Sequence, residues 1–214
     1  MTTDVLAPVR ATGVLAVLRA PSPEHAMRAI DALISGGIRG IEVTYSTPDA
    51  ADVIARAIAT YGASAYVGAG TVTTEAQARE AADAGAAFLV SPGTRPELTR
   101  AMKATGAVTM TGALTPTEVM TAVELGSDVV KIFPASLGGP SFLGALRGPF
   151  PNVPLMPTGG VTPDNLATWF AAGAVAAGAG GDLVPGAALA SEDYEEITRR
   201  AHLFADALRA VREA

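Results

Sequence analysis

The chain has 214 residues, a formal net charge of −6 and no cysteine. That length suits one large domain or two small ones and can bury a sizeable core. Without Cys there is no disulfide framework, no thiol nucleophile and no Cys-ligated zinc or iron–sulfur site, and two histidines leave little for a His-rich metal centre or a Ser-His-Asp triad.

The acidic balance, with a pI near 4.9, argues against a general nucleic-acid binder, and neither a basic stripe nor interleaved aromatics is visible. Mean hydropathy is high at +0.33, yet no unbroken apolar run approaches the roughly 18 residues of a membrane span. The opening MTTDVLAPVR carries an acid at Asp4 and no basic start, so no signal peptide is expected. The expectation is a compact cytoplasmic protein.

In chain order, residues 1–12 read as an extra N-terminal helix, followed by the apolar run VLAVL at 14–18. Helix starts then recur. Ser22-Pro23-Glu24, Thr47-Pro48-Asp49, Thr115-Pro116-Thr117-Glu118 and Thr162-Pro163-Asp164 share one grammar, with Thr94-Arg95-Pro96-Glu97 and Thr73-Thr74-Glu75 as looser copies. A hydroxyl accepts at the N-cap, Pro fits the first turn and the acid favours the positive helix end. Stops recur too: Gly36, Gly62, Gly85, Gly106, Gly126, Gly148 and Gly173 stand where a left-handed cap is expected. Short apolar runs follow them: IEVTY, AYVGAG, AFLVS, AVTMTG, VVKIF, VPLMP and AVAAGAG. Runs apolar on both faces suit buried parallel strands. Residues 190–214 read as a long closing helix. About eight strand–helix units of similar length, with no dinucleotide fingerprint after the first strand, favour a single (β/α)8 barrel domain over 1–214, with a doubly wound sheet as the rival.

In a barrel, catalytic groups stand at the C-terminal ends of strands, so charged residues inside apolar runs are informative. Lys131 interrupts VVKIF and is one of only two lysines. Burial favours the neutral amine, which attacks carbonyls; the plainer alternative is a lysine snorkelling to solvent from a strand end. Glu42 interrupts GIEVT. It reads equally as a general base beside Lys131 or as half of a structural ion pair with Lys131 or Arg19. Arg19 follows VLAVL and suits a carboxylate or phosphate clamp, or simply a solvated arginine. Thr158-Gly159-Gly160 follows the seventh strand and Gly178-Ala179-Gly180-Gly181 lies in the eighth; the loops after these two strands are where such barrels bind phosphate through backbone N–H groups, although glycine pairs also arise by chance in a chain with 23 glycines. Gly68-Ala69-Gly70-Thr71 ends the third strand and presents a hydroxyl, or is only a tight turn.

Arg19 in VLAVLRA, Glu42 in GIEVTYSTP, GAGTV at 68–72, Ser91-Pro92-Gly93, Lys131 in VVKIFPAS, Gly139-Pro140 and TGGV at 158–161 together resemble the class I KDPG/KHG aldolases, which act on 2-keto-3-deoxy-6-phosphogluconate and 4-hydroxy-2-oxoglutarate. The resemblance covers nearly the whole chain. It implies a (β/α)8 barrel, a homotrimer, a lyase acting on a small 2-keto acid, no metal and no cofactor beyond a lysine imine. It implies Lys131 as the Schiff-base lysine and Glu42 as the general acid/base. Thr71, Pro92, Phe133, Thr158 and Arg19 would line the keto-acid end. Gly159, Gly160, Gly180 and Gly181 would hold a distal phosphate. Two positions depart from the family pattern. Ser46 stands where some members carry the carboxylate-binding arginine, which Arg19 would replace from the neighbouring strand, and Gly181 stands where some carry a serine. Two rivals share parts of this pattern: a phosphate-binding barrel isomerase or synthase without an imine, and a non-catalytic oligomeric scaffold.

Overall fold

The computed structural model describes residues 4–213. Helix α1 (Ala7–Thr12) leads into β1 (Val14–Leu18), α2 (Pro23–Ser35), β2 (Gly40–Thr44), α3 (Ala50–Tyr61), β3 (Tyr66–Gly70), α4 (Glu75–Asp83) and β4 (Phe88–Val90). The alternation continues through α5 (Pro96–Ala104), β5 (Val108–Ala113), α6 (Pro116–Glu124), β6 (Val129–Ile132), α7 (Gly139–Leu146), β7 (Leu155–Pro157), α8 (Pro163–Ala171) and β8 (Ala177–Ala179). Two helices close the chain, α9 (Gly186–Ala190) and α10 (Tyr194–Glu213).

The strand order is β7-β6-β5-β4-β3-β2-β1-β8, and every pairing is parallel. Parallel bridges Leu155↔Ala174 and Thr158↔Gly178 join the two ends of that order. The sheet is therefore a nearly closed (β/α)8 barrel with an added N-terminal helix, and the doubly wound alternative is excluded.

Most helix starts form as their sequences dictate. Ser22 accepts the His25 N–H, while Thr74, Thr115 and Thr162 each form a reciprocal capping box with Gln77, Glu118 and Asn165. Two copies of the grammar differ. The Thr47 hydroxyl accepts the Ala20 N–H at 3.0 Å, so α3 begins later, after a left-handed Asp49. The Thr94 hydroxyl donates to the Gly112 carbonyl, leaving α5 without a side-chain cap.

The stops differ at two places. Gly37, not Gly36, takes the left-handed turn after α2, and Gly148 is not left-handed. Gly36 has another reason to be glycine: a Cβ there would lie 2.3 Å from that of Ala201, where α10 crosses. The expected closing helix over 190–214 is split, with left-handed Glu192 between α9 and α10, and residue 214 lies outside the described residues. The expected helix over 1–12 is observed from Ala7, and residues 1–3 lie outside the described ones.

Side chains alternate across each strand. Ile41, Val43 and Ala69 face the surrounding helices. Leu15, Phe88, Val90, Met110, Val129 and Met156 fill the barrel interior. Leu6 and Val9, at and just before α1, join that inner cluster, so the N-terminal segment plugs one end of the barrel. Each such side chain contributes about 1.5–3 kcal/mol by burial. The plug gives the barrel an apolar floor at that end. Among the described residues, no helix is long and apolar enough to cross a membrane.

Candidate active site

Strands β2 and β6 are four apart in a ring of eight, so they face each other across the barrel. Glu42 and Lys131 are each the third residue of their strand. Ile41 and Val43 point outward, so Glu42 points inward. Lys131 shares the inward parity of Val129. Their side chains meet: Lys131 Nζ lies 3.5 Å from Glu42 Oε1. Glu42 is fully buried and Lys131 is 5% exposed. The snorkelling alternative for Lys131 is thereby overturned, and of the two partners considered for Glu42 it is Lys131 that is found.

This contact is within ion-pair distance, yet it is not a hydrogen bond. Neither carboxylate oxygen of Glu42 receives a hydrogen bond from the described protein, and neither does the buried Thr158 Oγ1. Buried polar atoms without partners are expensive, on the order of 1–3 kcal/mol each and more for charged groups. Such atoms persist where binding or chemistry uses them.

Glycines carve the space these side chains occupy. A Cβ on Gly70 would stand 2.1 Å from Glu42 Oε1, and one on Gly178 would stand 2.3 Å from Thr158 Oγ1. Gly112 pairs in register with Lys131, and a Cβ there would meet the Pro92 carbonyl at 2.0 Å. Sequence reasoning passed over these three roles. It read 68–71 as a hydroxyl-bearing turn and treated Gly178 only as part of a glycine-rich run.

One layer above Lys131 and Glu42 lies a ring of expected site residues. Arg19, Pro92, Phe133, Thr158 and Gly180 each stand two residues beyond an inward strand position. The Phe133 ring centroid is 5.2 Å from Lys131 Nζ. Thr71 directly follows β3 with φ of 54°, a left-handed conformation that costs a non-glycine residue about 1–3 kcal/mol. Gly159 and Gly160 both have positive φ, at 92° and 78°. Nothing lies within 4 Å of a Cβ built on Gly181. The glycines after β7 and β8 thus share one sector of the rim, joined by the Thr158↔Gly178 bridge.

Arg19 lies just past β1 and is exposed, but it is not loose. Its Nε donates to Ser46 Oγ at 2.7 Å. Ser46 Oγ is 2.7 Å from Thr44 Oγ1, whose own hydrogen goes to the Leu18 carbonyl at 2.9 Å. Thr44 has only one hydrogen, so Ser46 donates to Thr44. The result is a one-way chain from Arg19 through Ser46 and Thr44 to the end of β1. It leaves both terminal nitrogens of Arg19 for a ligand. Ser46 and Thr44 were not singled out for this work; the hydroxyl run Thr44-Tyr45-Ser46-Thr47 was the available signal.

His25 lies elsewhere, bonded through Nδ1 to Ser22 Oγ at 2.8 Å, with Nε2 3.8 Å from Glu192. Among the described residues, no group of three or more His, Cys, Asp or Glu is placed to hold a metal ion.

Comparison with known proteins agrees with this geometry. A family model described as KDPG and KHG aldolase matches residues 5–200. A 2-dehydro-3-deoxy-phosphogluconate aldolase of Treponema pallidum (strain Nichols) is 41% identical over 186 residues, covering 86% of this chain and 88% of the relative. A 2-dehydro-3-deoxy-6-phosphogalactonate aldolase of Escherichia coli (strain K12) is 34% identical over 196 residues, covering 91% and 94%. A solved structure of a KDPG aldolase from Legionella pneumophila, with pyruvate captured at low pH as a covalent carbinolamine intermediate, superposes with a TM-score of 0.85 at 32% identity, covering 94% of this chain and 98% of that one.

Proposed function

The chain belongs to the KDPG and KHG aldolase family and is a lyase, and from that footing we propose that it cleaves 2-keto-4-hydroxy acids of the 2-keto-3-deoxy-6-phosphogluconate type through an imine on Lys131. The products are pyruvate and an aldehyde such as D-glyceraldehyde 3-phosphate. The observation that carries this reading is the buried Lys131–Glu42 pair, 3.5 Å apart across the mouth of the barrel.

In this reading neutral Lys131 attacks the C2 ketone, water leaves and a protonated imine forms. The iminium is the electron sink. Glu42, through a water molecule, takes the proton of the C4 hydroxyl. The C3–C4 bond breaks: the hydroxyl oxygen's electrons form the departing aldehyde's carbonyl, and the bond's own electron pair stays with C3 as an enamine on Lys131. Glu42 then returns a proton to C3, and hydrolysis of the new imine frees pyruvate and the amine. One carboxylate serves both proton steps because the first leaves it protonated for the second. The lysine imine supplies the electron sink, so the chemistry draws on no metal or other cofactor.

The remaining residues have assigned places. Arg19, held by Ser46, offers two guanidinium nitrogens to the pyruvate carboxylate. Thr71, Pro92, Phe133 and Thr158 line the keto-acid end. Gly159, Gly160, Gly180 and Gly181 receive a distal phosphate on backbone N–H groups. The chain acts as one domain over 1–214, as a cytoplasmic homotrimer.

The test is borohydride reduction in the presence of pyruvate, followed by peptide mapping. A reduced pyruvyl adduct on Lys131 is expected. A folded protein that yields no adduct would discard the imine route.

A further inference from the structure

A cavity of about 650 Å³ opens at the end of the barrel opposite Lys131. Its walls come from α1, from the C-terminal half of α10, and from the segments entering β2 and β3. The volume falls within the roughly 300–1,000 Å³ typical of small-molecule sites. None of the residues proposed above for the aldol reaction lines it.

Its charge is out of character for the chain. The protein as a whole carries −6, yet Arg39, Arg209 and Arg212 all line this cavity and no acidic side chain does. Arg209 is partnered, by Asp206 at 3.1 Å. Arg39 and Arg212 meet no carboxylate among the described residues. Arg39 Nη1 donates to the Ser64 carbonyl at 3.1 Å. Arg212 Nη2 donates to the carbonyls of Arg10 and Ala11.

Those backbone contacts explain part of why arginine is present: they tie α10 to α1, and the segment entering β2 to the one entering β3. They do not use the guanidinium charge, and they occupy one nitrogen of each group out of three. A guanidinium has five donors in a planar fork that matches carboxylate and phosphate oxygens. The rest of the lining is mostly small and apolar, including Pro8, Ala11, Ala65 and Leu208, with Thr12, Ser64 and Tyr66 as its polar members. Anion-matching groups around an apolar floor suit an organic ligand bearing at least two negative charges on a short carbon frame.

We propose that this cavity is a second binding site, separate from the reaction centre, for a small organic polyanion held by Arg39 and Arg212. Its ligand would add a further link between α1, α10 and the segments entering β2 and β3, the last two already joined where the Tyr66 N–H donates to the Arg39 carbonyl. Binding to the folded chain alone then raises its thermal stability by mass action. The guanidiniums are exposed, so affinity falls as salt screens them, with a Debye length of about 8 Å near 0.15 M. The proposal does not depend on the aldolase reading.

Two probes separate carboxylate from phosphate chemistry: citrate and inorganic pyrophosphate, each titrated calorimetrically at low salt into the full chain and into Arg39→Gln/Arg212→Gln. The expected result is saturable binding of one or both probes, a raised unfolding temperature, and at least tenfold weaker binding by the double variant. Borohydride trapping of pyruvate on Lys131 stays unchanged with the probe bound, which separates this site from a phosphate-binding rim at the other end. Failure of both probes to bind overturns the proposal. So does equal affinity in the double variant, and so does loss of trapping in proportion to probe occupancy. If the double variant does not fold, Arg39→Gln alone, which removes one hydrogen bond and one charge, carries the same comparison.

Discussion

Replacing Gly70 by alanine tests whether Glu42 is held in a defined position or merely stored in the barrel. The added methyl would sit 2.1 Å from Glu42 Oε1, 2.5 Å from its Cγ and 2.6 Å from its Cδ. The first contact is about 0.9 Å short of the 3.0 Å below which real Cβ contacts essentially do not occur. Three atoms of one side chain are approached at once, so a small rotation of the carboxylate does not relieve the clash. Glu42 is fully buried, so it has no solvent to swing into. Overpacking of this kind costs about 1–3 kcal/mol of stability. A displacement of about 1 Å at a reacting group costs about 10²-fold in rate. The expected outcome is a turnover number about 100-fold lower, with pyruvate still trapped on Lys131 by borohydride. The double variant Gly70→Ala/Glu42→Asp shortens the acid by one methylene. It should recover the unfolding temperature without recovering turnover, because the carboxylate is then comfortable but misplaced. Turnover of Gly70→Ala within about threefold of the parent would refute the reasoning, since a carboxylate moved that far would not be setting the rate.

Other outcomes follow from single contacts. Ser46→Ala breaks the chain that orients Arg19. A hydrogen bond to a charged group is worth about 1.5–3 kcal/mol, so steady-state kinetics should show KM raised about tenfold or more with kcat little changed; a fall confined to kcat would contradict the positioning role. Gly181→Ser has open space for its side chain and adds a hydroxyl donor at the expected phosphate rim. It should fold normally and lower KM for a phosphorylated substrate but not for an unphosphorylated one, and equal effects on both would remove phosphate from that place. The tyrosines give a pH test. Burial pushes the Tyr66 phenol up to about 12, with Asp128 adding to it. Burial also raises Tyr45 and Tyr61, with Glu80 and Asp31 adding in turn, and it raises Tyr194 against the opposing charge of Arg28, with Glu192 adding to it. A raised phenol stabilises the fold fully below its unfolded value near 10. For Tyr66 that contribution is lost as the pH rises from about 10 to 12. Phenolate absorbance should therefore show none of the four tyrosines titrating at 10 in the folded protein, and all of them doing so when unfolded; one folded-state step at 10 would contradict this.

The barrel was legible because its grammar repeats. Hydroxyl caps such as Ser22, Thr115 and Thr162 act through neighbours three residues away, so local sequence determines them. Lys131 and Glu42 were legible for a related reason: a charge inside an apolar strand is costly wherever the strand lies, so it stands out before any partner is known. Relations across the barrel were not legible. Thr47 has the letters of a cap but takes the backbone N–H of Ala20, just past β1, and Gly36 looks like a helix stop but makes room for α10. Gly70, at the end of the third strand, and Gly178, in the glycine-rich eighth, show no reason of their own to be glycine until the side chains they accommodate, Glu42 and Thr158, arrive from other strands. Arg39 and Arg212 are separated by most of the chain and meet at one cavity only because the barrel closes. Local sequence thus indicated which residues carry reactive groups, while tertiary contacts decide how much space and freedom those groups have. Selectivity for the aldehyde depends on that second kind of information. It is best sought by substituting the glycines and hydroxyls around Lys131 and Glu42, because the reactive pair itself is expected to be common to every substrate the site takes.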